Sequence, residues 1–174
     1  MNYWHDIETG APTLLNVIIE IPKESRVKYE LDKDTGLIKV DRVLYSPMHY
    51  PANYGFVPRT LWDDGDPLDV LVLGQEELVP GCLIKVRPIG VLFTNDSGES
   101  DAKVLAVPEK DPRFTNTKDI TDLEPHLLEE IAHFFKTYKE LQKKVVTIEG
   151  WEGAGKAAEV AEQAVRSYKE KFNK

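Results

Sequence analysis

Over most of the first two thirds of the chain, apolar residues either alternate with polar ones or run together in short blocks, with Gly, Pro, Asp and Asn between them. The pattern predicts strands over residues 17–21, 27–31, 37–44, 54–57, 68–73, 82–94 and 102–107. Short strands in such succession predict a small closed barrel. The spacing then changes. Leu127, Ile131, Phe134, Phe135, Tyr138 and Leu141 recur at helical intervals over residues 125–142, and residues 155–172 repeat this more weakly. A further strand fits over 145–148. Neither an internal repeat nor a low-complexity linker divides the chain, so the expectation is one α+β domain over residues 1–174, mainly β with two flanking helices.

Several charged residues break this pattern. Asp64, Asp66 and Asp69 crowd into Asp63-Asp64-Gly65-Asp66-Pro67-Leu68-Asp69, and Asp69 sits at the mouth of a run, residues 68–73, that is otherwise apolar. Two unit charges about 4 Å apart repel by roughly 4 kcal/mol at an effective dielectric near 20, so such a run favours a cation among its carboxylates. Oxygen donors alone point to Mg²⁺, Mn²⁺ or Ca²⁺ and away from Zn²⁺. A solvated acidic turn also accounts for the Gly and Pro, but not for a carboxylate at the mouth of a buried strand.

Glu20 stands in Val17-Ile18-Ile19-Glu20-Ile21-Pro22, and alternation puts Arg42 on the face of Ile38, Val40 and Leu44. Each needs an opposite charge, which an internal salt bridge supplies as well as a ligand does. Lys28 and Glu30 share one face of their strand, a solvated polar face on spacing alone. Asp96 and Asp101 form a second acidic cluster that ends on Lys103. Tyr50 and Tyr54 flank Pro51 and precede Gly55, where their hydroxyls either pack in a loop or reach a ligand. Tyr138 continues the apolar stripe of the first helix, with Lys139 beside it as a snorkelling lysine. His133 reads as a core or interface residue, and the four histidines show no metal-ligand spacing.

Thirty acidic against 22 basic residues give a net charge of −8, which disfavours a nucleic-acid or anionic-membrane surface. The single Cys82 excludes an internal disulfide and suits a reducing compartment. With no secretory signal and no apolar run of ~18 residues, a cytoplasmic location is expected.

Taken in order, Ile19-Glu20-Ile21-Pro22, Lys28-Tyr29-Glu30, Val40-Asp41-Arg42, Tyr50-Pro51-Ala52-Asn53-Tyr54-Gly55, Asp64-Gly65-Asp66-Pro67-Leu68-Asp69-Val70, Asp96 with Asp101-Ala102-Lys103, Ile131-Ala132-His133-Phe134-Phe135 and Tyr138-Lys139 carry a resemblance. The chain resembles the family I soluble inorganic pyrophosphatases along almost its whole length. The resemblance implies a five-stranded OB-like closed barrel and Mg²⁺-dependent hydrolysis of pyrophosphate, released by biosynthetic reactions, to two phosphates. It implies several Mg²⁺ ions per site, with Mn²⁺ or Co²⁺ as substitutes and Ca²⁺ as an inhibitor. Asp64, Asp69 and Asp101 would hold one metal, with Asp69 shared with a second. Asp96 and Asp101 would hold a metal arriving with substrate, Glu30 would reach another, and Glu20 would stand outside these ligands. Asp66 would take the proton of the attacking water between two metals, with Tyr54 ordering its surroundings. Lys28, Arg42, Lys103, Tyr138 and Lys139 would grip the phosphoryl groups, and Tyr50 counts as a further site position. A homohexamer is also implied, although bacterial members often carry a second histidine one helical turn after His133, where this chain has Thr137.

Gly150-Trp151-Glu152-Gly153-Ala154-Gly155-Lys156-Ala157 resembles a phosphate-binding loop, but Ala157 replaces the Ser or Thr that ligates Mg²⁺. Its glycines read as a turn and a helix start. A single-strand nucleic-acid barrel conflicts with the acidic charge, and a Ca²⁺-binding structural protein leaves Lys28, Arg42 and Lys103 without a purpose.

Overall fold

The computed structural model describes residues 1–173. Strand β1 (Gly10–Ala11) pairs with β2 (Leu14–Ile21), which also pairs with β5 (Asn53–Phe56) and β7 (Leu83–Asp96). From β5 the ladder continues through β6 (Asp69–Val72) and β8 (Glu99–Pro108) to β7, so β2, β5, β6, β8 and β7 close into a five-stranded ring. Closure leaves those strands no long open edge. Strand β9 (Val146–Gly153) extends the sheet beyond β7, and β3 (Val27–Leu31) with β4 (Ile38–Val43) forms a separate hairpin. Helices α1 (Pro125–Thr137) and α2 (Ala154–Phe172) complete the chain.

Alternate strand residues divide between the two helices. Val70, Val72, Ala102, Val104 and Ala106 share a core with Ala157, Val160, Ala161 and Ala164 of α2. Leu71, Leu73, Leu105 and Val107 share another with Ile131, Phe134 and Phe135 of α1. Both faces of the strands are therefore covered, which is why residues 68–73 are apolar on both faces. Asp69, Asp101 and Lys103 have the parity of the α1 face, so they emerge at the ends of strands whose next residues are buried beside that helix.

Three expectations need correction. The first helix ends at Thr137, and Glu140–Gln142 form a 3₁₀ turn that leaves Leu141 62% exposed. Lys143, with a left-handed φ of 58°, then redirects the chain toward β9. Residues 150–153 are strand, not a turn, and face β7 in a bulged register, so they form no phosphate cradle. The face assigned to Arg42 is also different, because a bulge sets Lys28 opposite Arg42 and Tyr29 opposite Val40, leaving Asp41 between pairs. Val40 points largely to solvent, while Ile38 packs against a core cluster and Leu44 is buried, so the apolar face inferred for this strand is a core face only at its ends. Of the two readings open for His133, exposure sets aside the core one and leaves the interface one; its carbonyl accepts from the Thr137 hydroxyl at 2.8 Å.

Gly55 reports how closely β5 approaches β2, since a Cβ there would lie 1.9 Å from the Ile18 carbonyl oxygen. Backbone cannot withdraw as a flexible side chain can. Gly55→Ala is expected to destabilise the fold by about 1–3 kcal/mol or more, read as a lower urea midpoint.

Candidate active site

One cleft of about 500 Å³ gathers Glu20, Glu30, Asp64, Asp66, Asp69, Asp96 and Asp101 together with Lys28, Lys103, Lys139, Tyr54 and Tyr138. The β ladders explain the convergence. Asp69 stands opposite Lys103 in the parallel β6–β8 pair, and Tyr54 comes from the neighbouring β5. Asp96 and Asp101 lie near the closed end of the β7–β8 hairpin, where Ser97 and Gly98 both take positive φ in a two-residue turn. The second acidic cluster thus stands at a hairpin end.

Lys103 organises the floor of the cleft. It is 4% exposed, and its ammonium donates to the Tyr54 hydroxyl at 2.8 Å and Asp69 at 2.9 Å, with Asp101 3.0 Å away. Burial alone would depress its pKa, but the Asp101 and Asp69 carboxylates reverse that and hold the ammonium well above its ordinary value. Burial raises the Tyr54 hydroxyl well above its ordinary value, so it stays protonated and keeps a hydrogen to donate. Lys139 reaches Asp96 from the end of α1, and Lys28 sits 3.0 Å from Glu30 and 3.1 Å from Asp41.

Negative charge still exceeds what these lysines offset. Burial, with Asp69 and Asp101 among the neighbouring charges, pushes Asp64 up to about 7. Burial, then Asp69, raises Glu20 to about 8, although its Oε1 accepts the Leu31 N–H at 2.7 Å. Glu20 has found a backbone donor and not the salt bridge that its sequence context also allowed. An all-oxygen set held at this electrostatic cost fits hard divalent cations. Among the described residues, no three His, Cys, Asp or Glu side chains form a ready cage for an ion. Ammonium groups stand between the carboxylates instead.

Two predicted positions lie outside the lining. Arg42 is opposite Lys28 at the base of the hairpin; its Nη1 contacts Asp41, and its buried Nε lacks a partner. Tyr50 is only 1% exposed, and its ring packs 4.8 Å from that of Phe134 and 5.5 Å from that of Tyr54. Loop packing, the alternative open for Tyr50, is the one observed. Conversely, Asp32, Lys33, Asp34 and Lys39 line the cleft without having been singled out. Asp32, Lys33 and Asp34 stand in a short charged turn and Lys39 on a polar strand position, neither of which gives a sign of which way it faces.

The profile of the family described as inorganic pyrophosphatase matches residues 17–169. The chain belongs to the inorganic pyrophosphatase family. Soluble inorganic pyrophosphatase 2 of Chlamydomonas reinhardtii is 50% identical over 171 residues, covering 97% of this chain and 89% of the relative. The crystal structure of inorganic pyrophosphatase from Thermus thermophilus matches with a TM-score of 0.93 at 41% identity, covering 97% of this chain and 99% of that one. Inorganic pyrophosphatase from Helicobacter pylori gives 0.90 at 46% identity, covering 94% and 99%. The five-stranded ring with two helices is therefore the pyrophosphatase fold, as the sequence resemblance implied. No helix among the described residues is long and apolar enough to cross a membrane.

Glu20 yields a pH prediction for this pyrophosphatase-family chain without metal. Its folded pKa of about 8 lies above the ordinary 4.5, so within that window the native chain keeps a proton that the unfolded chain releases. Stability should then fall as pH rises through the window. Glu20→Gln keeps an acceptor for Leu31 and should flatten the fall, measured by urea midpoints at several pH values in chelator. An unchanged slope would count against a buried neutral Glu20.

Proposed function

We propose that this cleft hydrolyses pyrophosphate to two phosphates with Mg²⁺. The observation that carries the reading is the interleaving of nine carboxylates with lysines from separate elements in one cavity. Such a lining suits a polyanion that arrives complexed with hard cations. A carboxylate cluster alone would serve a cation, and a lysine cluster alone would serve an anion.

Asp64, Asp69 and Asp101 would hold one metal, Asp69 would be shared with a second, Asp96 with Asp101 would hold another, and Glu30 would reach a further one. Glu20 would act from behind these ligands. When bound, Mg²⁺ offsets charge on phosphoryl oxygens and lowers the pKa of a water from ~15.7 toward neutrality. Asp66 would accept a proton from water as its oxygen attacks phosphorus, and the bridging P–O bond breaks with its electrons going to the departing phosphate. The Tyr54 hydroxyl and the Lys103 ammonium, fixed to each other, would donate to the attacked phosphoryl group. Tyr138 and Lys139 would grip the substrate from the end of α1, while Lys28 and Arg42 on the hairpin would stabilise the leaving phosphate. Arg42 would reach it by exchanging Asp41 for phosphate; its planar fork suits that exchange. No Ser, Thr or Cys lines the cleft among the described residues, in keeping with direct attack by water. Positioning and charge neutralisation are what a metaphosphate-like transition state requires of a protein.

Mn²⁺ or Co²⁺ would substitute for Mg²⁺, and Ca²⁺ would inhibit. The same reading includes a cytoplasmic homohexamer that clears biosynthetic pyrophosphate.

Phosphate release should be far faster from pyrophosphate than from ATP in Mg²⁺, and should vanish with chelator. Preference for ATP would overturn the reading. Asp66→Asn should fold normally but lower kcat by about 10²–10⁴-fold, the usual worth of a positioned proton acceptor. Near-normal turnover in the same assay would remove Asp66 from that role.

A further inference from the structure

Lys33 lies at the tip of the β3–β4 hairpin, outside every motif that carries the family resemblance, yet it reaches across the cleft mouth. Its ammonium pairs with the Asp66 carboxylate, donates to the Gly65 carbonyl at 3.2 Å, and stands 5.7 Å from the centroid of the Trp4 ring. Both ends of this bridge rest on fixed structure. Trp4 is 4% exposed, donates its indole N–H to the Thr60 carbonyl at 2.8 Å, and packs in the cluster of Ile18, Leu31, Phe56 and Tyr168. The hairpin tip is held by the Asp32 carboxylate, which accepts the N–H groups of Asp34 at 3.0 Å and Thr35 at 2.9 Å.

The Asp66 backbone is equally well held. Its carbonyl accepts from Trp62 N–H at 2.8 Å, and its own N–H donates to Asp64 at 3.0 Å. Its side chain, however, is 54% exposed, and among the described residues Lys33 is its ion-pair partner. The backbone is fixed while the carboxylate has rotamers to choose from, so the lysine selects one.

We propose that Lys33 is a positioning residue that keeps the Asp66 carboxylate aimed along the cleft, acting on turnover through Asp66. The inference rests on Asp66 being the proton acceptor. A half-exposed ion pair adds little to folding, whereas a reacting group misplaced by about 1 Å can lose two orders of magnitude in rate. Lys33 therefore affects turnover far more than stability.

The test is a double-mutant cycle on the full chain with Mg²⁺, reading phosphate release from pyrophosphate for wild type, Lys33→Ala, Asp66→Asn and the double variant. Lys33→Ala should lower kcat by about ten-fold or more, change KM by less than about two-fold, and add no further loss in the Asp66→Asn background. Lys33→Met, which keeps the apolar stem beside Trp4, should behave as the alanine variant does, with an unchanged urea midpoint. Wild-type kcat in the Lys33 variants, an effect confined to KM, or an equal loss in both backgrounds would overturn the inference alone. Near-normal turnover of Asp66→Asn would overturn the proton-acceptor reading and this inference together.

Discussion

A buried ammonium is the constraint on which the rest of the site depends. Lys103 lies on the α1 face of β8, directly across the parallel ladder from Asp69 and two residues beyond Asp101. A lone cation at 4% exposure would be untenable, and removing one partner from a buried pair costs about 3–5 kcal/mol. The two carboxylates and the Tyr54 hydroxyl are thus conditions of the fold as much as tools of the chemistry. The register of β6 against β8 cannot slip by one residue without turning Asp69 and its apolar neighbours to opposite faces.

The surplus of carboxylates around that ammonium follows the same logic outward. Lys139 answers Asp96, Lys28 answers Glu30, and Lys33 answers Asp66. Each cation comes from an element that contributes little to the ring itself: the end of α1, a strand of the hairpin, or its tip. The floor of the cleft is rigid sheet, and the walls are side chains on appended elements. Glu20 and Asp64, without an ammonium of their own, are the groups whose carboxyls are held furthest into the protonated range.

The ring and both helices were legible in the sequence because hydrophobic periodicity records burial, and both faces of these strands are buried. Where burial and periodicity part, the reading failed. Leu141 continues a helical spacing that the chain abandons at Thr137, and Val40 alternates correctly in a strand whose outer face meets water. The cleft-lining carboxylates and lysines were legible for a different reason: charges in apolar company, or massed beyond what repulsion tolerates, require a partner. Asp32, Lys33, Asp34 and Lys39 carried no such contradiction, since a charged hairpin turn and an alternating strand lysine are what solvent alone would select. Tyr50 and Arg42 show the converse limit, for residue type and order brought them close to the cleft but could not say which side of its wall they occupy.

The ladder that brings Asp69 beside Lys103 joins strands separated by all of β7, and the Lys139–Asp96 contact waits for α1. Glu20, near the start of the chain, completes the set from the far side. Nothing shorter than residues 20–103 holds the floor of this cleft. Pairings of such sequence separation form late, after the loop entropy between them has been overcome. A chain made only through β7 therefore carries its carboxylates dispersed, with weak hold on metal or phosphate. Capture of the substrate becomes a sign that the ring has closed.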